Sequence, residues 1–275
     1  MISIKINLKI VILSILVALI MYPKTIEILM NSGKSIYIAK KLSGVTIERN
    51  RTAAVVDKTR IVFMFDDGWK SVYTEAYGIL EKYNYIGSVP IIPSRTVEKE
   101  YMSYEQLSEL YLQGWDMLNH SYSHKENIYD NSDALLSDFN RARKWMKNRY
   151  IGIYSGMVVI PFGEINPFLI GQLKDAGYLS VRTSDNIIIL NKSEIEYFPI
   201  TTINLLTDVT VNEVKDILTK TFNEPNTIIF ILHRIEDIDD GFDMTYRKDK
   251  LEEIIKFIDE HREKYQIITY SQLFQ

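Results

Sequence analysis

The chain has 275 residues, 46% of them hydrophobic and 25% charged, which suits one full-size α/β domain with a short appendage and excludes two ordinary enzymes in tandem. A net charge of −4 without any basic stripe argues against a nucleic-acid partner. Cysteine is absent, which excludes disulfides, a CxxC redox site and thiolate-bound zinc, and leaves histidine and carboxylate as the strong metal ligands.

In chain order, Lys5 and Lys9 precede an unbroken apolar run over residues 10–22 that stops at Pro23-Lys24. The run is shorter than the ~20 residues a spanning helix needs and has the length of a signal-peptide core. Leu19-Ile20-Met21-Tyr22 offer no small-x-small cleavage site, so a cleaved signal and an uncleaved anchor both stay open, with a buried core helix as the plainer alternative. Residues 1–23 are therefore expected to be a signal peptide or signal anchor. Residues 24–58, with mixed charge and no sustained period, are expected to be a stalk, and 59–275 the globular domain. The expected location is extracytoplasmic, membrane-anchored or secreted, with the membrane met through the N-terminal segment; nothing in the sequence fixes an oligomeric state.

From residue 59 the pattern becomes regular. Apolar runs at 61–65, 86–92, 116–118, 157–160, 179–181, 228–232 and 266–269 read as short buried strands, and helical stretches fall near 71–83, 103–112, 132–149, 167–176, 211–221 and 248–265. Asn166-Pro167 reads as an N-cap followed by an N1 proline, and Gly114 and Gly177 as C′ glycines. Strands alternating with helices imply a parallel sheet. Asp66-Asp67, His120, Pro161-Phe162-Gly163 and His233 each fall just beyond a different predicted strand, which favours a barrel over an open sheet with a single switch point.

Two adjacent carboxylates behind the apolar run 61–63 are costly to bury unless a cation or proton compensates. Their plain reading is an N-cap pair for the next helix. Three of the four histidines, His120, His124 and His233, sit at predicted strand ends, and His-x-x-x-His places two imidazoles on one face of a helical turn. With these histidines, a division of labour is the better reading: Asp67 ligates a metal with His120 and His124, while Asp66 accepts a proton from activated water. His261, in the last predicted helix, reads as a surface residue.

The chain resembles the polysaccharide deacetylases of carbohydrate esterase family 4. Met64-Phe65-Asp66-Asp67-Gly68 is similar to that family's Thr-Phe-Asp-Asp-Gly motif, and His120-Ser121-Tyr122-Ser123-His124 matches its His-Ser/Thr-x-x-His motif completely. The likeness runs from about residue 59 to 273. It implies a distorted (β/α) barrel with fewer than eight units, here preceded by the hydrophobic signal or anchor segment. It implies Asp66 as general base and Asp67, His120 and His124 as ligands of one divalent ion, zinc first, with cobalt or nickel as alternatives. Leu232-His233 matches the motif that supplies the general acid.

The third motif departs from the family's Arg-x-Pro-Tyr/Phe-Gly, reading Val159-Ile160-Pro161-Phe162-Gly163, so the arginine that orients the base is missing. The acidic partner expected in the fourth motif is absent too, where Val181-Arg182-Thr183-Ser184-Asp185 stands. Loss of both partners looks like a variant site, and resembles a branch of exported hexosamine-polymer deacetylases with an apolar residue before Pro-Tyr/Phe-Gly and an aromatic, here Trp69, after Asp-Asp-Gly. Arg182 is a hypothetical substitute cation or else an ordinary loop arginine. The Phe162 amide is a candidate oxyanion donor, and Trp69, Tyr122, Tyr154 and Phe162 are candidates for stacking on sugars.

The expected function is metal-dependent removal of N-acetyl groups from an N-acetylhexosamine polysaccharide of the cell envelope, releasing acetate. The alternatives are an O-acetyl esterase or small-molecule amidase with the same site, and an anchored glycan-binding protein with weak or no catalysis.

Overall fold

The structure, a computed structural model, describes residues 57–128, 131–184, 187–190, 200–238 and 241–274. The expected signal or anchor segment and all but the last two residues of the expected stalk lie outside the described residues.

The strand β1 (Thr59–Phe65) is central, and every residue in it but Arg60 is buried. A strand covered on both faces has no use for a polar face, which is why it reads as a continuous apolar run. It belongs to a sheet ordered β6-β5-β4-β3-β2-β1-β8-β7, with β2 Ser88–Ile91, β3 Asp116–Asn119, β4 Met157–Val159, β5 Ser180–Arg182, β6 Ile187–Ile189, β7 Ile200–Asn204 and β8 Thr227–Leu232. Neighbours pair in parallel except β5 with β6. A further strand, β11 (Tyr265–Ile267), pairs with Thr59–Ile61 of β1, while Met64 pairs with Ser88 of β2. β1 thus changes neighbour along its length, which distorts the sheet. The short β9 (Arg234–Ile235) and β10 (Thr245–Tyr246) pair beside it.

The sheet curls into a nearly closed, barrel-like form among the six α-helices of the described residues: α1 Tyr77–Glu81, α2 Tyr104–Leu112, α3 Ser132–Lys147, α4 Pro167–Asp175, α5 Val211–Lys220 and α6 Lys248–Glu260. The period-2 alternation of strands divides the core. Val62, Met64, Val159, Ile229 and Ile231 pack together with Ile268, Tyr270, Leu273 and Phe274. The alternate residues Ile61, Phe63, Phe65, Ile228, Phe230 and Leu232 meet Val214 and Leu218 of α5 and Leu251, Ile254, Ile255 and Ile258 of α6. Each such fully buried side chain contributes roughly 1.5–3 kcal/mol.

The segment after β11 closes the end of the sheet where β2, β3 and β5 begin. The Tyr270 N–H donates to Ser88 Oγ at 2.8 Å, its hydroxyl lies 3.2 Å from Ser180 Oγ, and the Ser271 N–H and hydroxyl donate to Asp116 at 2.7 and 3.0 Å. This floor joins residues far apart in sequence.

All seven predicted strands are present, within two residues at their ends. The antiparallel β6 and the half-exposed edge strand β7 were not expected from the pattern. The first predicted helix begins as a π-helical turn, Val72–Ala76, before α1. His261 is half-buried between Phe257 and Phe222, ring centroids 4.4 and 5.3 Å away, and ends α6, which corrects its reading as a surface residue.

Candidate active site

At the C-terminal ends of the strands, a cavity of about 310 Å³ is lined by Asp66, Asp67, His120, His124, Phe162, Arg182 and His233, among others. They come from the ends of five strands or the loops behind them: β1 brings the two aspartates, β3 the two histidines, β4 Phe162, β5 Arg182 and β8 His233. The residues expected to catalyse, to hold the metal or to bind the oxyanion are therefore in one place, with Arg182, whereas the stacking candidates Trp69, Tyr122 and Tyr154 do not line this cavity.

The Asp66-Asp67-Gly68 turn is a single 3-10 turn in which Asp67 has φ +73° and Gly68 φ +78°. It is not the N-cap of the following helix. The left-handed conformation turns the two neighbouring carboxylates to different partners. Asp66, 4% exposed, pairs with the buried Arg182 guanidinium. Its Oδ1 is buried without a hydrogen-bond partner. Asp67 faces the histidines, with Oδ1 3.3 Å from His120 Nε2 and 3.7 Å from His124 Nε2, and accepts from Trp69 Nε1 at 3.0 Å.

His120 and His124 do not lie on a helical turn. They stand at the two ends of a loop in which Ser121 and His124 have φ +61° and +50°. The loop is held from behind. Buried Asn119 donates to the Phe139 and Ser155 carbonyls and accepts from the Ser121 N–H at 3.1 Å; Ser121 Oγ accepts from the His124 N–H at 3.0 Å; Asp138 accepts from both the N–H and the hydroxyl of Ser123. The Val159 carbonyl, 2.9 Å from His120 Nδ1, can only accept, so Nδ1 carries a proton and Nε2 is the ring nitrogen turned toward Asp67. Nothing in the motif spacing marks Asn119 or Asp138; a buried amide and a helix carboxylate become visible as supports only in three dimensions.

Of the six non-glycine residues at positive φ among the described residues, four, Asp67, Ser121, His124 and Phe162, are here. Each costs on the order of 1–2 kcal/mol, and such strain persists where surrounding contacts impose it. Gly163, at φ +82°, is required on a second ground, because a Cβ would stand 1.7 Å from Ser184 Oγ.

Burial by itself raises the pKa of Asp67, but the hydrogen bond and charge of His120, with His233 and His124, outweigh it and hold the carboxyl well below the usual range. Burial, then the charge of His120, lowers His124 to about 4. An ionised carboxylate and neutral imidazole are the forms that bind a metal. One ligand atom from each of Asp67, His120 and His124 lies within 4.8 Å of the others. The donor set, the protonated Nδ1 of His120 and the ionisation of Asp67 all fit a divalent cation.

Arg182 ends β5 and is buried, so it is not an ordinary exposed loop arginine. Trp69 stacks on Tyr101, centroids 4.6 Å apart, and approaches Phe242 at 5.5 Å. Tyr101 and Phe242 line the cavity, with Trp69 behind them bonded to Asp67. Phe162 is 48% exposed and its ring lies 4.6 Å from that of His124. Tyr154 packs against the inner core, and Tyr122 points into a different groove.

Carboxylate and imidazole donors converging beside a second, arginine-paired aspartate at the strand ends define the class of site found in metal-assisted hydrolases. Residues 53–181 match the family model of the polysaccharide deacetylases, a span that contains both leading motifs and over which the chain is similar to that family. Similar solved structures include a family 4 acetyl xylan esterase from Clostridium thermocellum in complex with a cobalt ion, 17% identical over 78% of this chain and 90% of that one, TM-score 0.54. A peptidoglycan N-acetylglucosamine deacetylase bound to 4-naphthalen-1-yl-N-oxidanyl-benzamide is 14% identical over 78% and 88%, TM-score 0.55. A family 4 carbohydrate esterase from Bacillus anthracis is 17% identical over 79% and 83%, TM-score 0.51. At these identities the likeness is one of fold. No curated protein matches the chain.

Proposed function

We propose that the protein is a metal-dependent N-deacetylase of an N-acetylhexosamine-containing cell-envelope polysaccharide. The observation that carries this reading is the placement of the Asp67, His120 and His124 donors in one cavity with the unpartnered Oδ1 of Asp66 and with His233. The cavity volume of about 310 Å³ is at the low end of small-ligand sites, which suits one sugar unit with its acetamide.

Asp67, His120 and His124 would hold a divalent ion, zinc with cobalt or nickel as alternatives, which would supply Lewis acidity toward water and the acetamide carbonyl. Asp66 takes the proton of the attacking water through Oδ1, while Arg182 fixes Oδ2 and balances the buried charge. Phe162 lines the cavity, and its backbone N–H is the proposed donor to the oxyanion that forms on the former carbonyl. His233 then gives a proton to the departing amine. The carbon–nitrogen bond breaks, acetate leaves, and the sugar keeps a free amine. Tyr101 and Phe242, backed by Trp69, offer apolar faces to the sugar. The apolar run at 10–22 supports an extracytoplasmic protein, anchored or secreted.

The test is acetate release by the full-length chain, with zinc or cobalt supplied, from N-acetylglucosamine oligomers, peptidoglycan and acetylated xylan. Metal-dependent release from an N-acetylated substrate is expected, lowered about 10²–10⁴-fold in Asp66→Asn. Release from acetylated xylan alone would replace this reading with O-acetyl esterase activity. No release despite bound metal would favour a glycan-binding protein.

A further inference from the structure

A second groove, of about 510 Å³, lies on the other side of the metal-site loop. The two cavities share their walls residue by residue. In the loop after β3, His120 and His124 face the first cavity and Tyr122 the second; in the turn after β2, Arg95 faces the first, and Ser94 and Thr96 the second. The Ser94 N–H donates to the Tyr122 carbonyl at 3.0 Å and ties the two wall segments together.

The groove is lined by three cations, Lys125, Arg141 and Arg149, and by no carboxylate. In a chain of net charge −4, this concentration runs against the average. The Arg141 guanidinium lies 3.6 Å from the Tyr122 ring centroid, and that of Arg149 lies 4.1 Å from that of Trp145. Stacking of this kind fixes the guanidinium plane and leaves its N–H edges available for an anion. Among the described residues none of the three cations has an ion-pair partner. Arg143 on the same helix behaves differently: it donates to the Ala176 and Gly177 carbonyls at 3.0 Å and so caps α4. A structural role accounts for Arg143 and leaves Arg141 and Arg149 unexplained.

We infer that this groove binds a carboxylate-bearing stretch of glycan, so that the polymer occupying the first cavity carries acidic sugars nearby. Fixed cations recognise the carboxylates, and the aromatic rings beneath them meet the apolar faces of the sugars. The inference rests on the deacetylase reading for the sugar in the first cavity and is independent of it for the groove's own ligand.

The experiment uses oligogalacturonate, an acidic glycan without an acetamide, titrated into the full-length chain by calorimetry. Wild type is expected to bind it in a salt-sensitive manner. Arg141→Gln/Arg149→Gln is expected to bind at least about tenfold more weakly, with an unchanged thermal midpoint, while Arg141→Lys/Arg149→Lys recovers most of the affinity. No binding by wild type, equal binding by the Gln variant, or equally tight binding of inorganic phosphate would each overturn the inference. Acetate release by wild type from neutral N-acetylglucosamine oligomers, measured in parallel, tests the deacetylase reading separately: its absence alongside oligogalacturonate binding would sink that reading and leave the groove's own ligand standing.

Discussion

The two ends of the barrel solve opposite problems with similar residues. At the floor, Asp116 is buried and its two oxygens are matched by the N–H and hydroxyl of Ser271. At the mouth, Asp66 is equally buried, yet Oδ1 has no partner, and Arg182 Nε and His233 Nδ1 are likewise buried without one. Left-handed non-glycine residues also gather at the mouth. A buried carboxylate whose valences are filled serves the fold, and one left partly unfilled, at a cost to the fold, is poised for a reactant.

Changes at each end should separate activity from stability. The largest effect on activity is expected for Asp66→Asn, which should lower acetate release by about 10²–10⁴-fold; the amide can still accept from Arg182 but leaves its buried charge uncompensated, so the thermal midpoint should fall as well. A falling midpoint with intact activity would reverse the contrast. Next, Arg182→Met strands a buried carboxylate and should cost about 3–5 kcal/mol in urea unfolding. Asp66→Asn/Arg182→Met should recover most of that loss, and failure to recover would mean that Arg182 supports the fold through something other than the pair. At the floor, Asp116→Ala leaves the Ser271 donors without an acceptor, with an expected loss of about 1–3 kcal/mol and kcat close to wild type.

The smallest effect is on pH dependence. Burial raises the pKa of Asp116 above its ordinary 3.8, only partly offset by hydrogen bonds led by the Ser271 N–H. Between 3.8 and the folded value the folded chain holds a proton that the unfolded chain has released, so stability falls as pH rises through that window. Asp116→Asn should remove this slope; parallel urea midpoints for wild type and variant across the window would contradict it.

The sheet and the reacting groups were legible because each depends on local pattern. Fully buried strands are continuous apolar runs, and the two leading motifs carry their ligands within a few residues. What escaped notice depends on context. Ile200–Asn204 reads Ile-Thr-Thr-Ile-Asn and lies at an edge, half-exposed, so it lacks both the apolar run and a clean alternation; its β-branched residues were the available signal. The conformation of the histidine loop is set by Asn119 and Asp138, and spacing alone suggested a helical turn that the positive φ values exclude. Arg182 stood open between a substitute for the missing cation and an ordinary loop arginine, and its pairing with Asp66, 116 residues earlier, is a fact of the curled sheet. Trp69 was assigned to a sugar face because it follows the aspartates, whereas stacking on Tyr101 places it behind that face.

The change of neighbour along β1 also bears on how the protein reaches this structure. Thr59 pairs with Tyr265, and Arg60 with Thr227, so the central strand waits for partners 206 and 167 residues later in the chain. Pairings of such long range are slow to form, because loop closure must precede any reward from contacts. During synthesis β1 emerges early as an apolar segment with open edges, well before β8 and β11 exist. Its protection against premature association in that interval must come from outside the fold, from a chaperone or from delayed release, more than from any intermediate built of its own neighbours.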